Sequence, residues 1–226
     1  MSWRGAMFAD RVEAGRALAA ALPPLDPEDT VVVALPRGGV PVAAEICRAR
    51  GLPMDLVFVR KIGAPGQPEL AVGAIVDGDR PVVERDDRIA GAFGLSAEEV
   101  AAMGRDLLPE IARRKARYLA GRARPDLAGK TVVVVDDGIA TGATMGASLR
   151  GLRAAGAGRI ILAVPVAPPE VLARFEALAD EVICLCPDPG FRAVGAYYAR
   201  FPQVSDEEVI SLLAEAGRGD GGGDAP

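Results

Sequence analysis

Apolar residues fall into two arrangements along this chain. Four segments are unbroken runs: TVVVALP from Thr30, MDLVFV from Met54, TVVVVDD from Thr131 and RIILAVPVA from Arg159. Alternation would mark strands with one wet face. Continuous Val/Ile/Leu runs bounded by turn residues instead predict strands buried on both faces, as in a parallel sheet. Between the runs the period changes to that of a helix. Asp10 to Leu22 carries Val12, Leu18, Ala19 and Leu22 on one stripe, and Val40 to Arg50 carries Val40, Ala43, Ala44 and Cys47 before stopping at Gly51. Gly142 to Ala155 and Pro169 to Leu178 read the same way. Strand and helix in alternation predict right-handed βαβ units and a doubly wound, mostly parallel α/β sheet.

Two regions break the alternation. Gly63 to Arg88 is a Gly/Pro-rich loop running into a predicted hairpin around DGD. Ser96 to Arg122 opens with a capping box, Ser96 and Glu99. It then sets Val100, Met103, Leu107, Ile111 and Tyr118 on one stripe, kinked or broken near Pro109. A single domain over 1–216 follows, with its core at about 8–90 and 128–185, a helical insertion at about 96–122 and a C-terminal hood at about 187–204. The last residues, 217–226, form a polar Gly-rich tail expected to be disordered.

Composition narrows the chemistry. Among 226 residues there is no histidine, which excludes Ser-His and Cys-His catalysis and the commonest zinc sites. Cys47, Cys184 and Cys186 read as reduced thiols, the last two on one face of a strand. The net charge of −5 argues against broad nucleic-acid binding, so the basic run RRKARYLAGRAR reads as the solvated face of a packed helix. The N-terminal residues lack the apolar stretch of a signal peptide and no run reaches membrane-spanning length, so a cytoplasmic protein without membrane partners is expected.

The chemistry concentrates in VVVVDDGIATGATM, Val132 to Met145. Asp136 and Asp137 end a predicted strand, where ligands of open parallel sheets sit. A turn and a helix start near Gly142 follow at once. Free backbone N–H groups and the positive end of the helix dipole make such a start an anion receptor, and Thr141 and Thr144 add hydroxyl donors. Gly142 would let the backbone approach a ligand. Anion donors beside acceptors for neutral hydroxyls suit a phosphorylated sugar. Neither a P-loop lysine nor a G-x-G-x-x-G fingerprint is present. A purely structural turn and cap would account for one acid and one threonine, not for two of each.

This stretch resembles the phosphoribosyl-pyrophosphate (PRPP) signature of the type I phosphoribosyltransferases, and the type I fold with its flexible-loop hairpin is what the resemblance implies. By that resemblance Asp136 and Asp137 bind the ribose 2′- and 3′-hydroxyls, Asp137 counting also as catalytic. Gly138, Ile139, Ala140, Thr141, Gly142, Ala143 and Thr144 wrap the 5′-phosphate. ALPRGGVPVA, from Ala34, is similar to the family's pyrophosphate loop, with Arg37, Gly38 and Gly39 on the leaving group and a cis peptide expected at Arg37–Gly38. VRKIGAPGQPE, from Val59, resembles the Arg-Lys pair that opens the catalytic loop; Arg60 and Lys61 would reach the pyrophosphate, with Gly63 and Gly66 letting the loop close. A bland alternative for that pair is two surface cations at a strand end.

The implied reaction is transfer of the 5-phosphoribosyl group from PRPP to a nitrogenous acceptor, with Mg²⁺ bridging pyrophosphate and ribose partly through water, so that Asp136 and Asp137 would hold the metal indirectly. A homodimer and a place in nucleotide metabolism are implied as well. PDPGFRAVGAYYARF after Cys186 resembles the hood of the hypoxanthine-guanine enzymes, with Phe191 stacking on the acceptor and Val194 contacting it; completion of a small core is the equal alternative. Three departures weaken a purine assignment. Ala140 replaces an acid, Ala199 falls where a second metal-binding acid is expected, and RIILAVPVA lacks a lysine. Glu69 is a candidate replacement acid. A non-catalytic PRPP-binding regulator is the rival function, and RNA binding through the basic helix a third.

Overall fold

The structure is a computed structural model and describes residues 7–77 and 81–216. Helix α1 (Arg11–Ala21) starts under Asp10, whose carboxylate accepts from the amides of Val12 and Glu13. Strand β1 (Thr30–Ala34) and helix α2 (Gly39–Arg50) follow, and α2 ends at Gly51 in the left-handed conformation, φ 66°. After β2 (Met54–Leu56) the chain leaves the main sheet to form β3 (Val59–Ala64), β4 (Gln67–Val76) and β5 (Val82–Arg85), then helices α3 (Asp87–Ala92), α4 (Ala97–Arg105) and α5 (Leu108–Leu119). It returns through β6 (Thr131–Val135), α6 (Ala143–Ala154), β7 (Arg159–Ala167), α7 (Pro169–Leu172) and β8 (Glu181–Pro187). A 3₁₀ turn at Val194–Tyr197 and α8 (Asp206–Ala216) complete it.

Five strands form the parallel sheet, in the order β2-β1-β6-β7-β8. Every residue of β1 is buried, as are Val132–Val135 of β6, and neighbouring residues feed opposite cores. Val133 and Val135 pack with α2 residues such as Val40 and Ile46. Val132 and Val134 pack with Met145 and Leu149 of α6. Period-two geometry with apolar residues on both faces explains why the runs are continuous. A doubly wound sheet is therefore what these runs encode. β3, β4 and β5 make a separate antiparallel sheet.

Local differences from the sequence expectations have physical reasons. The buried face of α1 is Arg11, Ala14, Gly15, Leu18 and Ala19, while Val12 is 36% exposed; a buried ion pair of Arg11 turns the helix away from its most apolar register. MDLVFV is divided: β2 takes Met54–Leu56 and Val59 opens β3. Gly63 to Pro68, expected as loop, is strand on both sides of a tight turn at Pro65–Gly66. Asp77 of the DGD turn is described, but its residues 78–80 and the tail at 217–226 lie outside the described residues. Helix α7 stops at Leu172 and continues as turns. Helices α3 and α8 were not foreseen.

The capping box of Ser96 and Glu99 is present, and the insertion breaks into α4 and α5 at Asp106 and Leu107, with Pro109 in the first turn of α5. Its basic face is engaged within the fold. Lys115 pairs with Asp77 at 2.8 Å, Arg124 with Asp55 at 2.9 Å, and Arg122 donates to the carbonyl of Met54 at 3.0 Å. All three cysteines are free thiols; burial pushes Cys47 up to about 12 and Cys184 up to about 11. No helix among the described residues is long and apolar enough to cross a membrane.

Candidate active site at the carboxyl edge of the sheet

Strand β6 delivers Asp136 and Asp137 at its C-terminal end. Asp137 is buried, and its amide donates to the Asp136 carboxylate at 2.8 Å. Burial, followed by the neighbouring charge of Asp137, pushes Asp136 well above the ordinary carboxylate range. Burial raises Asp137 too, but Arg11 opposes it: Nε and Nη2 both reach Oδ2 at 2.8 Å. Arg11 also donates to the carbonyl of Pro202 at 2.8 Å and lies 3.8 Å over the ring of Phe201. The hydroxyl of Tyr198 donates to the Asp137 carbonyl at 2.6 Å.

Beyond the acids, Ala140, Thr141 and Ala143 face solvent and Gly142 and Thr144 are half-exposed. Helix α6 begins with no side-chain cap, so its first amides stay open. Gly142 has φ 77°, which favours glycine. A Cβ there would meet Phe175 at 2.7 Å and Val171 at 2.8 Å. Its smallness therefore serves packing against α7 and the turn behind it, while Gly142 also lines the cleft beside Thr141.

The loop of Arg37, Gly38 and Gly39 joins β1 to α2 and packs against the acids. A Cβ on Gly38 would overlap the Asp137 carboxylate, and one on Gly39 would come within 2.6 Å of the Val135 carbonyl and 2.9 Å of Asp136 Cα. The two glycines are what allow this loop and the acid pair to share one spot. The cis bond lies at Pro36–Arg37, one residue before the expected Arg37–Gly38. Gly38 and Gly39 are needed for close approach, and the cis link precedes them as the chain turns out of β1. Arg37 lies 3.6 Å from Asp206 of α8.

Arg60 and Lys61 are separated rather than brought together. Both lie in β3, whose alternation sends them to opposite faces. Lys61 lines a cleft of about 550 Å³ with Glu69, Thr141, Gly142, Ala143 and Arg174. Arg60 lines a small pocket with Pro36, Thr144 and Arg114 and pairs with Glu110 at 2.6 Å. Arg60 thus shares a pocket with Pro36, the residue before Arg37.

In the hood the ring of Phe191 stacks on Tyr197, 5.7 Å between centroids, and Val194 covers Gly138, whose hypothetical Cβ would lie 2.7 Å from a Val194 methyl. The Ala199 amide donates to the Phe8 carbonyl at 2.8 Å. Arg11 and Tyr198 were missed by sequence reasoning. A signal for Arg11 did exist: Arg11, Ala14, Gly15 and Leu18 follow i, i+3, i+4, i+7, with a charged residue at the head of the buried stripe. No comparable signal marked Tyr198. For a metal, the acid pair offers hard oxygen donors, and no group of three or more ligating side chains occurs among the described residues. That donor set fits Mg²⁺ carried in on a diphosphate with its waters, not a cage built by protein alone.

Comparison with known proteins points the same way. Residues 12–197 match the phosphoribosyl transferase domain. Two Mycobacterium tuberculosis proteins, from strains CDC 1551 and H37Rv, carry a provisional phosphoribosyl transferase name and are 47% identical over 97% of this chain. The chain spans about half of their length, 51%. The crystal structure of TT1426 from Thermus thermophilus superposes with a TM-score of 0.79 at 42% identity, covering 92% of this chain and 98% of that one.

Proposed function

The chain belongs to the phosphoribosyl transferase domain family, and from that premise we propose that it moves the 5-phosphoribosyl group of PRPP onto a nitrogenous base or small amine. One observation carries the reading. An uncapped helix start at Ala140–Thr144 follows directly on two carboxylates against which Gly38 and Gly39 are packed. Anion donors, hydroxyl acceptors and a backbone loop for a second anion then line one edge of the sheet, in the arrangement PRPP requires.

In this reading the open amides and the hydroxyls of Thr141 and Thr144 hold the 5′-phosphate, while Asp136 and Asp137 hold the ribose hydroxyls. Arg37, Gly38, Gly39 and Arg60 receive the pyrophosphate. The C1′–O bond breaks with its electron pair leaving on a pyrophosphate oxygen, the lone pair of the acceptor nitrogen forms the new bond to C1′, and that nitrogen gives up its proton to water. Guanidinium groups at the leaving oxygen stabilise the charge that develops there. Lys61 faces the phosphate side of the loop and would act on the sugar phosphate. Mg²⁺, when bound, would neutralise diphosphate charge. Phe191 and Val194 of the hood are the proposed acceptor contacts, and Glu69, which lines the cleft with Thr141, is the candidate replacement acid.

Calorimetric titration of PRPP with Mg²⁺ tests the binding step. Saturable uptake is expected, and Thr141→Ala should weaken it roughly ten- to a hundredfold, the worth of one hydrogen bond to a charged group, about 1.5–3 kcal/mol. No uptake by the unaltered protein overturns the reading. A pyrophosphate-release screen over free bases and small amines then tests transfer.

A further inference from the structure

The helical insertion carries a cation that the reading above leaves without a task. On α5, Ile111 and Tyr118 are buried, and Tyr118 stacks on Phe58 with centroids 6.2 Å apart. Arg114 stands three residues after one anchor and four before the other, so helical spacing puts it on the same stripe. It is exposed, and it lines the small pocket with Pro36, Arg60, Ile111 and Thr144. That pocket touches the proposed pyrophosphate loop, the proposed catalytic arginine and the phosphate loop at once.

The charges around it are uneven. Arg60 pairs with Glu110 at 2.6 Å, Arg37 with Asp206 at 3.6 Å, and Arg117 with Asp206 and Glu207 at 2.6 and 3.1 Å. Four arginines thus share three carboxylates, and among the described residues Arg114 is the one of the four with no ion pair. Like charges gather at a cost unless an anion is meant to join them. Glu110 lies one turn before Arg114 on the same helix. α5 therefore presents both a carboxylate that occupies Arg60 and a guanidinium that feels Asp206 only at longer range, without an ion pair of its own.

We infer that Arg114 is a leaving-group residue: with Arg37 and Arg60 it binds the diphosphate end of PRPP and released pyrophosphate, so the insertion supplies part of the active site. This rests on the reading that the site takes PRPP. A fork of N–H donors suits the several oxygens of a diphosphate better than a point charge does. Ribose 5-phosphate, which lacks those oxygens, should not sense Arg114.

Arg114→Gln and Arg114→Lys, both at an exposed position, are titrated by calorimetry with magnesium pyrophosphate, with PRPP and with ribose 5-phosphate, alongside thermal melts. The glutamine variant is expected to melt like the parent and to lose about tenfold in affinity for pyrophosphate and PRPP, the lower range for one hydrogen bond to a charged group. Ribose 5-phosphate binding should stay unchanged, and lysine should restore part of the loss. Pyrophosphate affinity equal in parent and glutamine variant overturns the inference, as does an equal loss for all three ligands. Parent protein that binds neither PRPP nor pyrophosphate overturns the underlying reading instead.

Discussion

The two halves of the site are built on opposite principles. At Ala140–Thr144 the chain leaves backbone donors open to solvent, with no side chain capping α6. A few residues earlier, Asp137 is buried, held by Arg11 and Tyr198 and pressed by Gly38. The open half is made by one short segment, whereas the packed half is assembled from segments distant in the chain. The fold should therefore tolerate change at the exposed positions of the first, Gly142 excepted, better than in the second.

The sharpest way to break that contrast is to remove the cation under the acids. Arg11→Gln leaves Asp137 buried without its partner, and losing one member of a buried pair costs about 3–5 kcal/mol. At about 2–4 °C per kcal/mol for a chain of this size, melting should fall by at least about 6 °C. A melt within about 2 °C of the parent would mean that the pair is not sealed as described.

A smaller effect is expected from one methyl group. Gly38→Ala puts a Cβ into the Asp137 carboxylate and should cost about 1–3 kcal/mol, the usual range for overpacking. Ala143→Ser, a comparable change on the open loop, should stay within about 0.5 kcal/mol of the parent. Equal denaturation midpoints for the two variants would erase the distinction between the halves.

A further predicted effect has the opposite sign. Asp136 has its folded pKa raised, so the folded state holds its proton more tightly than the unfolded chain does. Its ionised form therefore costs stability once pH exceeds the ordinary carboxylate value. Asp136→Asn, which keeps an oxygen for the Asp137 amide, should therefore be more stable than the parent at neutral pH. The gain should vanish near about pH 3, where the carboxyl is neutral in both states. Stability curves across that range check the sign.

The same contrast explains what was legible in the sequence. The strands, α2 with its Gly51 stop, the capping box and the order of acids, turn and helix start are local patterns, so periodicity and turn chemistry expose them. Arg11 meets Asp137 across 126 residues and Tyr198 meets it across 61. Such meetings depend on how the hood folds back, which no local window contains. The division of Arg60 from Lys61 was hidden for a different reason: the Gly/Pro content after Gly63 reads as loop, whereas pairing with β4 makes it strand.

That strand has one more implication. Pairing from Val59–Val76 to Ile62–Gly73 is regular, and irregularity begins only beyond Ile62. A slip of a single position in the regular part would exchange the two basic side chains between compartments. Confining every distortion to the distal end lets the hairpin tip drift in length and composition among descendants of this chain without ever reversing which base of the pair faces which cleft.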